Sequence, residues 1–223
     1  MAHENDSFIR EVNEELRSEQ MRKFWQRYGI VFIGAAALIV IGAAGAGIYD
    51  YWNSSKANAS GDQFSAALKL VEEGKNDEAL SAFAALETDG HGSYPVLAKF
   101  RAAAVHAEKG DAAAAITAFT ALGNDRSVPD VFRDTAKLRA GWLMVDTATY
   151  DEVSALVEVL SSDTHSMRGS AREILGLSAY KHGDFAKAKQ WFDLLANDAQ
   201  TPRNVNSRVQ ILLDNIAASG KAA

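Results

Sequence analysis

The chain has no cysteine. That absence removes disulfides, thiol nucleophiles and thiolate metal ligands together. Histidine is scarce as well. His3, His91, His106, His165 and His182 are scattered, and none has a second ligand at metal-binding spacing such as HExxH. His106 falls at a core-facing helical position, whereas His91 and His165 fall in loops and are expected to be solvated. The sequence carries no glycine-rich phosphate loop, GxSxG elbow or paired-carboxylate constellation, so it reads as a non-enzyme without metal or cofactor. Proline is limited to Pro95, Pro129 and Pro202. Each opens a run of helical periodicity, where a first-turn residue needs no intrahelical amide. Positive charge is also in deficit. The formal net charge is −6, and residues 1–28, with five cations and six anions, leave −5 for the rest. An acidic domain without basic clusters is a poor ligand for nucleic acid or anionic lipid.

Charge of either sign is missing from Gly29 to Tyr49, a stretch with IVFIGAAALIVIGAAGAGI at its heart. At about 1.5 Å per helical residue, roughly 20 such residues match a hydrocarbon core of about 30 Å. Arg10, Arg17, Arg22, Lys23 and Arg27 precede the stretch, while Lys56 and Lys69 are the nearest cations after it. Basic flanks stay on the cytoplasmic side, so residues 1–28 are expected to be a cytoplasmic leader and the large domain to lie across the membrane. Phe24, Trp25 and Tyr28 on one side, with Tyr49, Tyr51 and Trp52 on the other, suit the two headgroup levels. The alternative is a cleaved signal peptide, for which Ala44-Gly45-Ala46 supplies the small-x-small site. The acidic leader, with Glu11, Glu14, Glu15 and Glu19, and the length of the apolar run favour a retained anchor. Gly42 with Ala46, and Ala43 with Gly47, form small-x-x-x-small pairs on which another transmembrane helix could pack.

Beyond a linker at 50–60, the sequence repeats itself. EEGKNDEALSAFAAL, AEKGDAAAAITAFTAL, VDTATYDEVSALVEVL and YKHGDFAKAKQWFDLL align with Gly74, Gly110, Ala148 and Gly183 at one position, a turn between two helices. Ala79, Ala115, Val153 and Ala188 follow at a second position, and Phe83, Phe119, Val157 and Phe192 at a third. Upstream, Ala67, Ala103, Gly141 and Gly176 mark a small-residue position in each first helix. Two helices approach closely only where both carry small side chains, and glycine permits the left-handed turn between them. Asp111 and Asp184 are placed to cap the second helices. Spacings of 36, 38 and 35 residues resemble the tetratricopeptide repeat, whose period is about 34. One hairpin cannot bury its own apolar face, so the units are expected to stack. The expected fold is therefore all-α: a transmembrane helix at 29–49, then a tetratricopeptide-like α-solenoid of about four hairpins over 61–200. A capping helix and tail follow over 201–223, with Val205, Val209, Leu212, Leu213 and Ile216 on its apolar face. The first and third units are degenerate, and the third is expected to be irregular where Val153 replaces a small residue.

The register also assigns positions that line the concave face in such arrays: Phe64, Leu68 and Val71; Leu97 and Phe100; Leu138, Trp142 and Val145; Leu177 and Tyr180. They are mostly apolar and lack a Lys/Arg/Asn carboxylate clamp. Burial between helices is the alternative for each of them. Trp142 and Tyr180, large aromatics with polar edges, are the expected exposed anchors, close enough for one extended segment to touch both.

FWQRYG before the span, YDYWNSS after it and VNSRVQILLDNI at the end resemble, together with the architecture, the YfgM-type ancillary subunits of the bacterial SecYEG translocon. The resemblance covers essentially the whole chain. It implies a single-pass bacterial inner-membrane protein, cytoplasmic at its N-terminus, with a periplasmic domain that associates with the translocon and a membrane-anchored periplasmic chaperone. The implied role is to pass emerging, unfolded polypeptide segments to periplasmic chaperones. A non-catalytic scaffold in another envelope assembly, such as division or outer-membrane biogenesis, would use the same groove for one fixed partner.

Overall fold

The computed structural model describes residues 2–220, with side chains from residue 17 onward. His3, the earlier leader side chains and the last three residues lie outside that description. Nine α-helices and one 3-10 turn make up the described secondary structure, with no strand among the described residues. They are α1 (Ala2–Glu72), α2 (Asn76–Asp89), α3 (Tyr94–Glu108), α4 (Ala112–Asn124) and α5 (Asp130–Met144). After them come α6 (Tyr150–Val157), the 3-10 turn (Glu158–Leu160), α7 (Arg168–Lys181), α8 (Phe185–Ala196) and α9 (Arg203–Ser219). The chain divides after Lys56 into two compact units.

The first unit is the leading part of α1. The apolar side chains of its uncharged stretch are open: Ile30 is 85% exposed, and Leu38, Ile39, Ile41 and Ile48 are nearly as bare. Among the described residues this is the one helix long and apolar enough to cross a membrane. Near its charged end Phe24 packs on Tyr28 and Phe32 with ring centroids 5.2 and 5.8 Å apart, and the Trp25 ring covers Gly29. At the other end Lys56 lies over the Trp52 ring at 3.9 Å. Residues 50–60, expected as a linker, are helical and belong to α1. No glycine or proline occurs between Ile48 and Ser60 to end the helix.

The second unit is built of four hairpins and a cap. The end of α1 pairs with α2, α3 with α4, α5 with α6, and α7 with α8, while α9 packs on α8. Three of the four inter-helix turns are one motif. At Gly110, with φ 81°, the amide donates to Ala107 O at 3.0 Å and the Asp111 amide to His106 O at 2.9 Å. This pair of bonds satisfies the carbonyls left over at the end of a helix, and it requires the left-handed conformation. Gly74 and Gly183 repeat the same pair of bonds, each at a similar positive φ. Asp111 and Asp184 then accept from the amides of Ala114 and Lys187, each at 3.0 Å, and start α4 and α8. The third unit has Ala148 at this position and lacks the motif. Thr149 and Glu152 instead form a reciprocal capping box, and α6 is only 8 residues long before it tightens into the 3-10 turn.

The small-residue position holds each hairpin together. A Cβ on Gly176 would lie 2.5 Å from Phe192 Cε1, and one on Gly141 would lie 2.7 Å from Val157 Cγ1. Ala67 and Ala103 are fully buried at the same place. The stacked faces divide into four apolar clusters centred on Phe83, Phe119, Val157 and Phe192. The last cluster is closed by Val209 and Ile216 of α9, as a capping helix requires.

Candidate functional site

Burial sorts the expected groove residues. Leu138 and Val145 are core residues, 9% and 7% exposed, and belong to the cluster around Val157 and Ile174 rather than to an open groove. They pack there with Val153 and Val157 of α6 and Ala171, Ile174 and Leu175 of α7. Phe64, Leu68 and Val71 pack against the first cluster, with the Phe64 ring 5.7 Å from Phe83 and 5.9 Å from Tyr94. Leu177 packs against the last two clusters, and Leu97 is half-buried on α3. Tyr180 is half-buried and meets Phe185 edge-on at 5.3 Å, so its ring is largely occupied. Trp142 alone among the ten is exposed, at 40%. In α1, Gly42 and Gly47 stand open, with nothing within 4 Å of the place a methyl group would take on either, and Ala43 and Ala46 are exposed beside them.

Trp142 opens onto a cavity of about 470 Å3 between α3 and α5, floored by α4. The volume is in the range of about 300–1,000 Å3 typical of ligand clefts. Phe100 and Phe119 form its apolar wall in an edge-to-face pair at 5.2 Å, with Leu143 beside them. The helices α3 and α5 are the first helices of adjacent units, and Phe100 and Trp142 are two of the residues the register assigns to the groove. Phe100 and Trp142 are thus brought together, whereas Tyr180 is not part of this cavity's lining.

Two alanines of α3 line the cavity. Counting back from each turn, the sixth residue is Leu68, Ala104, Trp142 or Leu177, and the third is Val71, Ala107, Val145 or Tyr180. Only the second unit has alanine at both places, and Ala104 and Ala107 both line the cavity. Where Leu68 and Val71 of the first unit and Leu177 and Tyr180 of the fourth pack against apolar clusters, α3 carries only methyl groups at these two positions beside the cavity.

Two arginines also line the cavity, and the apolar register does not include them. Arg101 and Arg139 each stand nine residues before the turn of their unit, so they are repeat-equivalent; that equivalence is the signal by which they could have been found. Arg101 Nη1 donates to Glu108 Oε1 at 2.9 Å, while its Nε is buried with no hydrogen-bond partner among the described residues. Arg139 is exposed and has no ion-pair partner among the described residues.

The histidines differ from expectation in placement. His106 is half-buried rather than core, and lines a separate cavity of about 310 Å3 with Glu87, Lys99 and Asp125. Burial raises the Glu87 carboxyl there above its usual range. His165 is not a solvated loop residue. Its Nδ1 accepts from the Met167 amide at 3.1 Å, and its Nε2 lies 3.3 Å from Asp134. His91 is half-buried, and its amide donates to Ser60 Oγ at 2.9 Å. No group of three or more His, Asp or Glu side chains among the described residues is arranged to hold a metal.

A densely paired cluster lies at the other end of the repeats. Arg168 donates to both oxygens of Asp198, at 2.6 and 3.0 Å, and the buried Arg172 bonds Asp163, Asp198 and the Ser161 carbonyl. The Arg168 guanidinium holds the Asp198 carboxyl below its usual range, helped by the Gln200 amide. Each of these groups is satisfied by its neighbours, as expected of a structural brace joining the two ends of a hairpin.

A family model described as a tetratricopeptide repeat-like domain matches residues 22–218. The match begins upstream of the uncharged stretch and ends within α9. No curated protein matches the chain.

Proposed function

The chain belongs to the tetratricopeptide repeat-like domain family, and on that premise we propose that it is a membrane-anchored protein-binding subunit of the bacterial inner membrane. In this reading the uncharged part of α1 spans the bilayer. Residues 1–28 lie in the cytoplasm, held there by Arg22, Lys23 and Arg27, and the repeats lie in the periplasm. The repeats bind a polypeptide segment in the cavity at Trp142, beside the SecYEG translocon and a membrane-anchored chaperone, and assist transfer of emerging chains to that chaperone.

The observation that carries the reading is the cavity itself. Helical-repeat proteins bind partners on the surface formed by their first helices. Here that surface holds one large exposed aromatic beside a space left unfilled by Ala104 and Ala107. The translocon and chaperone rest on the likeness at FWQRYG, YDYWNSS and VNSRVQILLDNI.

The test is mild detergent extraction of the full chain with mass spectrometry of its partners, comparing the wild type with Trp142→Ala. Translocon subunits and an anchored chaperone should co-purify with the wild type and be depleted with the variant. Recovery of division or outer-membrane assembly proteins in their place would favour the fixed-scaffold reading. A partner profile unchanged by Trp142→Ala would remove the cavity from the function.

A further inference from the structure

We propose that the cavity at Trp142 selects extended polypeptide segments in which an apolar side chain stands next to an aspartate or glutamate. The inference rests on the reading of this cavity as a protein-binding surface. It runs against net charge, because a domain carrying −5 should on average attract basic segments. The local field is opposite. Arg101 and Arg139 flank the apolar wall, and Glu108, the one acidic side chain in the lining, is already paired with Arg101. Arg139 is left without a counter-charge among the described residues. Arg101 keeps a buried donor, Nε, that has no acceptor among the described residues. Guanidinium groups recognise carboxylates through paired N–H donors, and that attraction is stronger where water is partly excluded.

The geometry matches an apolar anchor with an adjacent acid. Phe100, Phe119 and Leu143 offer an apolar wall for one side chain, Trp142 offers a ring face, and the arginines stand at the same register position on neighbouring helices. The acid is a side chain within the segment rather than a chain terminus. The cavity lies between the second and third of four units, with further units on either side, so a segment crossing it continues in both directions.

The test uses the full chain in lipid nanodiscs and labelled 12-residue peptides, acetylated and amidated, with a central Leu-Asp-Leu, Leu-Asn-Leu or Leu-Lys-Leu. Fluorescence anisotropy reads binding. The acidic peptide should bind on the order of tenfold more tightly than the neutral one, and the lysine peptide most weakly. Raising the salt concentration should narrow that ratio. Arg139→Gln should bring the ratio close to one, and Arg139 makes no ion pair among the described residues whose loss would disturb the fold. Equal binding of all three peptides, preference for lysine, or a ratio unaltered by Arg139→Gln would each overturn the proposal. So would selective binding of a neutral peptide with a free C-terminal carboxylate, which would make the terminus the ligand. If the ratio is flat while Trp142→Ala still depletes a partner, the acidic preference falls and the protein-binding reading stands.

Discussion

The second and fourth hairpins follow one plan and end up with opposite characters. Both turn through a left-handed glycine, start their second helix with an aspartate cap, and place a phenylalanine nine residues after the turn, Phe119 in one and Phe192 in the other. Both end in an aspartate that accepts from the amide two residues on, Asp125 from Ser127 at 3.0 Å and Asp198 from Gln200 at 2.9 Å. In the fourth hairpin the remaining space is filled. Leu177 and Tyr180 occupy the concave positions, α9 closes the end, and Asp198 is gripped by Arg168 and Arg172. In the second, alanines stand at those positions, the cavity stays open, and among the described residues Asp125 has only Lys99, at 3.7 Å, as a cationic partner. A repeat scaffold can thus keep its hairpin geometry constant and leave one unit open while another is closed, by side-chain size alone.

The largest expected effect comes from removing the two equivalent rings. Phe192→Ala should cost about 3–5 kcal/mol, because the void it leaves is enclosed by Gly176, Val209 and Ile216. Phe119→Ala should cost less, since its void opens into the cavity, where solvent can enter. Thermal unfolding of the full chain in detergent compares them, and equal losses would mean that the second unit is as closed as the fourth.

Gly176→Leu comes next. The added side chain meets Phe192 at once and should destabilise by roughly 1–3 kcal/mol through overpacking. An unchanged melting temperature would show that the hairpin has room the structure does not give it.

Ala104→Leu converts the second unit toward the fourth. It fills the cavity from a partly exposed position, so stability should shift by no more than about 0.5 kcal/mol while binding at Trp142 is lost. Binding retained by a folded Ala104→Leu protein would place the contact surface elsewhere.

The smallest effect is in the pH dependence. Arg168 lowers the Asp198 carboxyl, and the Ser127 hydroxyl and amide lower Asp125. A carboxyl lowered by folding stabilises the native state above its unfolded value of about 3.9. That stability is lost as pH falls through the folded value. Asp198→Asn should therefore flatten the acid side of the stability profile below about pH 4 more than Asp125→Asn does, because its partners are less exposed to solvent. The opposite order in acid titrations followed by circular dichroism would mean that the brace is not what distinguishes the two hairpins.

Much of this plan is written locally. Gly74, Gly110 and Gly183, the aspartates after two of them, and the small residues at Ala67, Ala103, Gly141 and Gly176 act within one hairpin, at separations the chain itself sets. The degenerate third unit is legible for the same reason, since Ala148 cannot supply the left-handed turn easily and Thr149 with Glu152 supplies a cap instead. The concave-face assignments are less local. Leu138 and Trp142 are one helical turn apart on α5, yet one is buried under the next unit and the other is exposed.

The sequence by itself determined an all-helical chain, an uncharged stretch long enough to span a membrane, and four hairpins with a cap. Those properties depend on periodicity, on small residues and on turn chemistry within about one repeat of chain. Only the tertiary structure decided where the array stays open. A space between units depends on the sizes of side chains contributed by two different hairpins, as Ala104 and Ala107 face the surroundings of Trp142 and Arg139. It decided in the same way that Leu138 and Val145 are core and that Arg101 and Arg139 share one cavity, because stacking brings together residues that are 38 positions apart in the chain.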